Sequence, residues 1–211
     1  MPIPPVLSQL TTSELYKRAQ ALSIVETINS PEWSDRYFSI NPDWSDNEQS
    51  AEGRDGQGDS LLIAFQPEGV AINGFCINEA SAATSHLVGV DVPECFSEFY
   101  FGKPVATIGS SFCFYSLHDG KWRGREAEAG ISDFWLGFFD GDPTTYRDWA
   151  VDYYDEQPGL EQPGALDVIA SIYAHHPLSR AQVTQLAPDF DDWAMLKAEA
   201  SAIGFPLGPD F

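Results

Sequence analysis

Positive charge is scarce in this sequence: 11 Lys and Arg stand against 32 Asp and Glu, a formal charge of −21 over 211 residues. A polyanion would be repelled on approach, which sets aside nucleic-acid binding and attachment to anionic membrane surfaces. Long apolar runs are missing too. No stretch approaches the roughly 18 consecutive apolar residues of a membrane span. The opening Met-Pro-Ile-Pro-Pro-Val-Leu has neither the basic region nor the long apolar region of a secretory signal, so a cytoplasmic location is expected. Cysteine is sparse. Cys76, Cys95 and Cys113 form no CxxC pair and leave one unmatched in any disulfide scheme, as small buried thiols in a reducing compartment would. No GxGxxG opens a helix, and no Walker loop, GxSxG or HExxH occurs. The nucleotide-dependent and common hydrolase classes lose their support, and no cofactor is implied.

The acid that is present is unevenly spread. Residues 1–125 hold 16 acids and 8 bases, whereas 126–211 hold 16 acids and 3 bases. A self-repelling solvated surface accounts for such a balance, and so does an acidic face that steers a basic partner.

The apolar pattern centres on residues 60–75. Leu61 to Phe65 is a nearly continuous apolar run, and Gly69 to Phe75 answers it with alternating Val70 and Ile72. Pro67-Glu68-Gly69 between them is turn chemistry, so the stretch predicts a β-hairpin whose first strand is central. A second hairpin is predicted where Asp119-Gly120 separates the aromatic run at 111–117 from Trp122. Upstream, Thr11 and Glu14 form a capping box before a helix with Leu15, Ala19, Leu22, Val25 and Ile28 on one face. Residues 1–10, rich in proline, read as an extended tail. Arg36 to Ile40 reads as a short strand ending before Asn41-Pro42. The polar segment 43–59, with three glycines and six acids, reads as a mobile loop. A short helix is expected after Pro93.

From Ile131 the periodicity becomes helical. One helix is predicted from Ser132-Asp133 through Phe134, Trp135, Phe138 and Phe139 to Gly141. The next has Asp142 as N-cap and Pro143 in its first turn, with Tyr146, Trp149, Ala150 and Tyr153 on one face. Residues 157–164 read as a linker. Further helices carry Leu166, Ile169, Ala170 and Tyr173, then Val183 and Leu186 behind Ser179, then Trp193, Leu196, Ala200 and Ile203. The fold class is therefore α+β: an N-terminal helix, a small antiparallel sheet from two hairpins, and a helical C-terminal part. One domain is expected, sheet-rich over 33–125 and helical over 126–205.

Chemistry-bearing residues are few. Cys76, Glu79 and His86 share a loop, and Cys113 and His118 lie at the second hairpin, but neither spacing matches a metal or nucleophile motif. Asp140 and Asp142 resemble a cation pair, although capping explains Asp142 in full. His175-His176 suits the negative end of a helix dipole.

Phe65 to Phe75, Val92 to Phe96, Ser111 to Tyr115, Asp119 to Trp122 and Gly141-Asp142-Pro143 through Tyr153 together resemble an uncharacterised family of bacterial proteins. The likeness runs in order through most of residues 33–205. In that family the Gly-Phe is typically followed by an Asp-His-Glu-Ser-like loop. Here the loop begins Cys76-Ile77-Asn78-Glu79-Ala80-Ser81, so only Glu79 and Ser81 correspond, after a shift of one residue. The resemblance implies a bacterial fold and, if that loop is a site elsewhere, one altered in this chain.

Two functional readings follow. The first is a non-enzymatic acidic interaction protein, in an immunity-like role, that binds a basic partner protein through Asp152, Asp155 and Glu156. These acids fall toward a helix C-terminus, where the dipole disfavours negative charge and a compensating role is expected. The alternative is a small-molecule or metal-dependent enzyme, its site between the 76–86 loop and the 118–122 turn. Glu79, Ser81, His86, His118 and Trp122 would line it.

Overall fold

Successive strands joined by short turns fold back on one another and pair antiparallel. A computed structural model describes residues 3–77, 91–154 and 157–211. Its strands are β1 (Phe38–Ser45), β2 (Glu48–Arg54), β3 (Ser60–Gln66), β4 (Gly69–Phe75), β5 (Phe112–Leu117) and β6 (Trp122–Glu126). They lie in one antiparallel sheet in sequence order, β1-β2-β3-β4-β5-β6. Around them in the chain come α1 (Pro5–Ser8), α2 (Thr12–Asn29), α3 (Ser97–Phe101), α4 (Val105–Ile108), α5 (Asp133–Gly137), α6 (Pro143–Tyr153), α7 (Ala165–Tyr173), α8 (Arg180–Leu186) and α9 (Trp193–Ala202). The protein is α+β. None of the described helices is long and apolar enough to cross a membrane.

The sheet is larger than the two-hairpin sheet expected from sequence. The expected pair is present: β3 and β4 join at Pro67-Glu68, β5 and β6 join at the Asp119-Gly120 turn, and Ile72 pairs with Phe114 across β4–β5. The predicted mobile loop at 43–59 is instead the end of β1 and all of β2. Its inward residues, Ser50, Ala51 and Gly53, are buried but small, so they leave no apolar alternation to read. Asn47 makes the intervening turn in the left-handed conformation, which Asn tolerates better than most residues. Pro42 does not stop β1, because β1 is an edge strand and proline is admitted there. The remaining 55–59 segment is held by Asp55, whose Oδ1 accepts the amides of Gln57, Gly58 and Asp59. The extended tail is a second correction. Pro5 starts α1, where a missing N–H costs nothing, and Leu7 and Leu10 are buried.

The chain divides into two compact units: Met1–Leu15 with Asn41–Gly137, and Tyr16–Ile40 with Phe138–Phe211. In the first, cross-strand pairing puts Leu62, Ala64, Ala71, Cys113 and Tyr115 on one face. Phe96, Phe99, Tyr100 and Val105 from the α3–α4 segment pack there. Ile63, Ile72 and Phe114 occupy the other face and are completely buried. The capping box is formed, with Glu14 N–H donating to Thr11 Oγ1 and Thr11 N–H to Glu14 Oε2. α5 ends at Gly137, so Phe138 and Phe139 fall in the turn that follows it.

In the second unit Tyr37, Phe38, Phe138, Trp149 and Tyr153 form an aromatic cluster, with Trp149 stacked on Tyr153 at 4.9 Å between centroids. α7 buries Val168, Ile169 and Ile172; Leu166 and Ala170 are only half-buried, so its inward face is displaced from the expected one. Ser179 caps α8 in a full capping box with Gln182, and Asp192 caps α9. Arg36 is buried and its guanidinium reaches the Glu199 carboxylate at 2.6 Å while Nε donates to the Ser30 carbonyl.

Asp142 caps α6 as its sequence position predicts: the Thr144 N–H donates to Oδ1 at 2.9 Å, and that bond holds the carboxyl below its ordinary value of 3.8. The depressed value means that its contribution is present above pH 3.8 and is lost as pH falls below it. Asp142→Ala is expected to lower the Tm by about 2–4 °C at neutral pH, an effect that fades in acid. Thermal melts of both proteins at neutral and acid pH check this; an equal deficit at both would show that the carboxylate is not the cap.

Candidate functional site

α6 is amphipathic, and its outward face carries the acids. Tyr146 and Ala150 point inward, whereas Asp148 and Asp152 are exposed and one turn apart. Like charges at that spacing repel. Asp152 also lies in the last turn, which contains no basic residue to offset the dipole. Beyond the helix the chain makes a 3-10 turn at Pro158–Glu161. Between helix and turn runs a groove of about 390 Å³, lined by Arg147, Asp148, Val151, Asp152, Leu160 and Glu161. Three carboxylates therefore face one guanidinium, and Arg147 is already engaged, with Nε 2.5 Å from Asp148 Oδ1. Val151 and Leu160 give the groove an apolar floor against which the stem of a long basic side chain can lie.

The walls are fixed from beneath. Gly159 lies so close to α8 that a Cβ there would stand 1.6 Å from the Leu186 carbonyl oxygen, so only glycine fits the turn. At the other wall, the chain leaving α6 is tied to α2. The Tyr154 hydroxyl donates to Glu26 Oε2 at 2.8 Å, and Gln157 Nε2 donates to the Asn29 carbonyl at 2.8 Å. Glu26 itself is fully buried. It also accepts the Tyr146 hydroxyl and the Tyr37 and Phe38 amides. Burial pushes its carboxyl pKa up, against the lowering effect of these four bonds. The network positions the groove; none of it reaches the groove floor.

Of the residues expected to bind a partner, Asp152 is exposed in the groove, while Asp155 and Glu156 lie outside the described residues. Glu161 and Asp148 complete the acidic lining. Glu161 could not be assigned from sequence, because a Pro/Gly-rich linker gives no indication of which helix it folds back on.

Of the alternative set, Glu79, Ser81 and His86 lie outside the described residues, as does the resembling loop beyond Ile77. His118 is exposed at the tip of the second hairpin. Trp122 Nε1 donates to the Leu10 carbonyl at 2.8 Å, which ties β6 to the segment after α1. Cys113 is on the covered face of the sheet, and burial raises its thiol pKa, which opposes nucleophilic use. Asp140 and Asp142 turn their carboxylates to local donors, Oδ1 of Asp140 to the Asp142 amide and Oδ2 to the Thr145 hydroxyl. The two histidines diverge: His175 Nε2 lies 2.8 Å from the Lys17 carbonyl, and His176 Nδ1 faces Ser171. Among the described residues no three His, Cys, Asp or Glu side chains are grouped to hold a metal. Comparison with protein-family models, with curated proteins and with solved structures found no match to this chain.

Proposed function

We propose that the protein is a non-enzymatic interaction protein whose acidic groove beside α6 receives a basic segment of a partner protein. The observation that carries this reading is the lining of the groove: Asp148, Asp152 and Glu161 around an apolar floor, with Arg147 already paired. Two features set it apart from a merely solvated acidic surface. The concavity gives basic side chains a place to lie flat, and with Arg147 held by Asp148 the carboxylates of Asp152 and Glu161 are left for an arriving cation. Neutralisation of a basic partner, as an immunity-like protein would achieve, is the role that fits the −21 charge.

The test is association kinetics with the partner captured by the immobilised protein at low salt. For Asp148→Asn/Asp152→Asn/Glu161→Gln the on-rate is expected to fall about tenfold or more and to depend less steeply on salt. An unchanged on-rate with an unchanged salt slope would leave these acids as solvated surface.

A further inference from the structure

A concavity of about 400 Å³ opens in the unit formed by Met1–Leu15 and Asn41–Gly137, on the same sheet face as the α3–α4 segment. The strand register explains why it exists. Glu52 pairs with Leu62, Arg54 with Ser60, and Leu62 with Asn73, so these side chains share one face. α3 and α4 cover that face above Leu62, Ala64 and Ala71, and the cover ends at Ile108. Toward β1 the concavity continues, among the described residues, as far as Trp44. Trp44, Leu62, Val105 and Ile108 form apolar walls, and Ile108 is 38% exposed at the mouth.

The rim is built rather than loose. Asp55 clamps three successive amides of the β2–β3 turn, and Asp59 accepts the Ile77 N–H at 2.7 Å. At the polar end Asn73 is almost fully buried. Its Nδ2 donates to the Gly109 carbonyl, and its Oδ1 accepts the Ser110 hydroxyl. A side-chain amide has two N–H groups and two lone pairs, so one of each remains to meet a ligand.

Size and charge select the ligand. An engineered apolar cavity of about 150 Å³ holds benzene, so about 400 Å³ suits two or three rings. Glu52 and Asp59 at the rim oppose an anion, as does the charge of the whole chain, whereas Arg54 opposes a cation. We infer that this pocket binds a neutral small molecule of two or three rings, with one hydrogen-bonding group directed at Asn73. The site is separate from the acidic groove and does not depend on it.

Phenylnaphthylamine is a suitable probe, being neutral, aromatic and furnished with one N–H that can donate to Asn73 Oδ1. Titrated into the full chain, its emission is expected to rise and shift to the blue with saturation at one equivalent. Ser60→Phe fills the pocket from β3, and Ile108→Trp narrows it from α4. Each is expected to weaken binding about tenfold or more without altering the far-ultraviolet circular dichroism. Because Ile108 is exposed, its variant tests the pocket even if Ser60→Phe fails to fold. The anionic anilinonaphthalenesulfonate is expected to bind about tenfold less tightly than the neutral dye. Absence of saturable binding, retention of full affinity in folded variants, or equal affinity for the two dyes would each overturn the assignment.

Discussion

Glu26→Ala is expected to destabilise the protein by roughly 3–5 kcal/mol and to lower its Tm by about 10 °C. The carboxylate accepts four donors: the Tyr146 hydroxyl at 2.7 Å on Oε1, and on Oε2 the Tyr154 hydroxyl at 2.8 Å with the Tyr37 and Phe38 amides at 2.6 and 3.2 Å. Tyr146 cannot simply turn away, because its oxygen already accepts a bond from Asn29 Nδ2 at 3.1 Å. Truncation leaves these donors without an acceptor, at a cost of about 1–3 kcal/mol for each that stays dry. Water entering the space relieves part of the loss, which keeps the total below the simple sum. Denaturant and thermal unfolding measure it, and a loss below about 1 kcal/mol would mean that the four bonds contribute little.

Glu26→Gln isolates the charge. Burial raises the Glu26 carboxyl above its ordinary value of 4.5, so the folded state holds the proton more tightly than the unfolded state does. The resulting stabilisation is complete below pH 4.5 and is lost as pH rises through the raised value. The stability of the wild type relative to Glu26→Gln is therefore expected to decline over the range from pH 4.5 upward. Urea midpoints across that range test the sign, and a wild-type advantage that grows with pH would contradict it.

Phe114→Ala is expected to cost roughly 3–5 kcal/mol. Phe114 is fully buried and pairs with Ile72 on β4 and Gly124 on β6, while Ile72 pairs with Ile63 on β3. Ile63 and Ile72 are equally buried, so the three side chains form a row across the middle of the sheet. The ring uses space that Gly124 leaves open: a Cβ there would stand 2.8 Å from Phe114 Cδ1. Phe112 does the same against Gly74 on the other neighbour. With aromatic rings fitted beside glycines, deleting one leaves a hole that the rigid sheet cannot close. The urea midpoint should fall with the slope unchanged; a loss under about 1.5 kcal/mol would show that the surroundings collapse into the gap.

The sequence by itself determined the elements whose reasons are local. Thr11 with Glu14, Asp142 with Pro143, and Ser179 mark helix starts because their side chains bond amides two or three residues away. Pro67-Glu68-Gly69 and Asp119-Gly120 mark turns because backbone sterics within a few residues decide them. The large apolar residues of β3 and β5 likewise declared the sheet's centre.

Tertiary structure alone decided what depends on distant partners. β2 is a strand because Ala51 and Gly53 sit opposite Ile63 and Leu61, and small inward residues carry no local signal of that pairing. Glu26, one acid within the apolar face of α2, became the centre of a buried network only when Tyr37, Tyr146 and Tyr154 were brought to it, the last two more than a hundred residues away. The acidic groove is half legible. Asp152 could be picked out by its unfavourable place in a helix's last turn, but Glu161 joins it through a turn held by the approach of Gly159 to Leu186. Local chemistry fixes where elements begin and end, whereas a site drawn from several elements exists only once the chain has closed on itself.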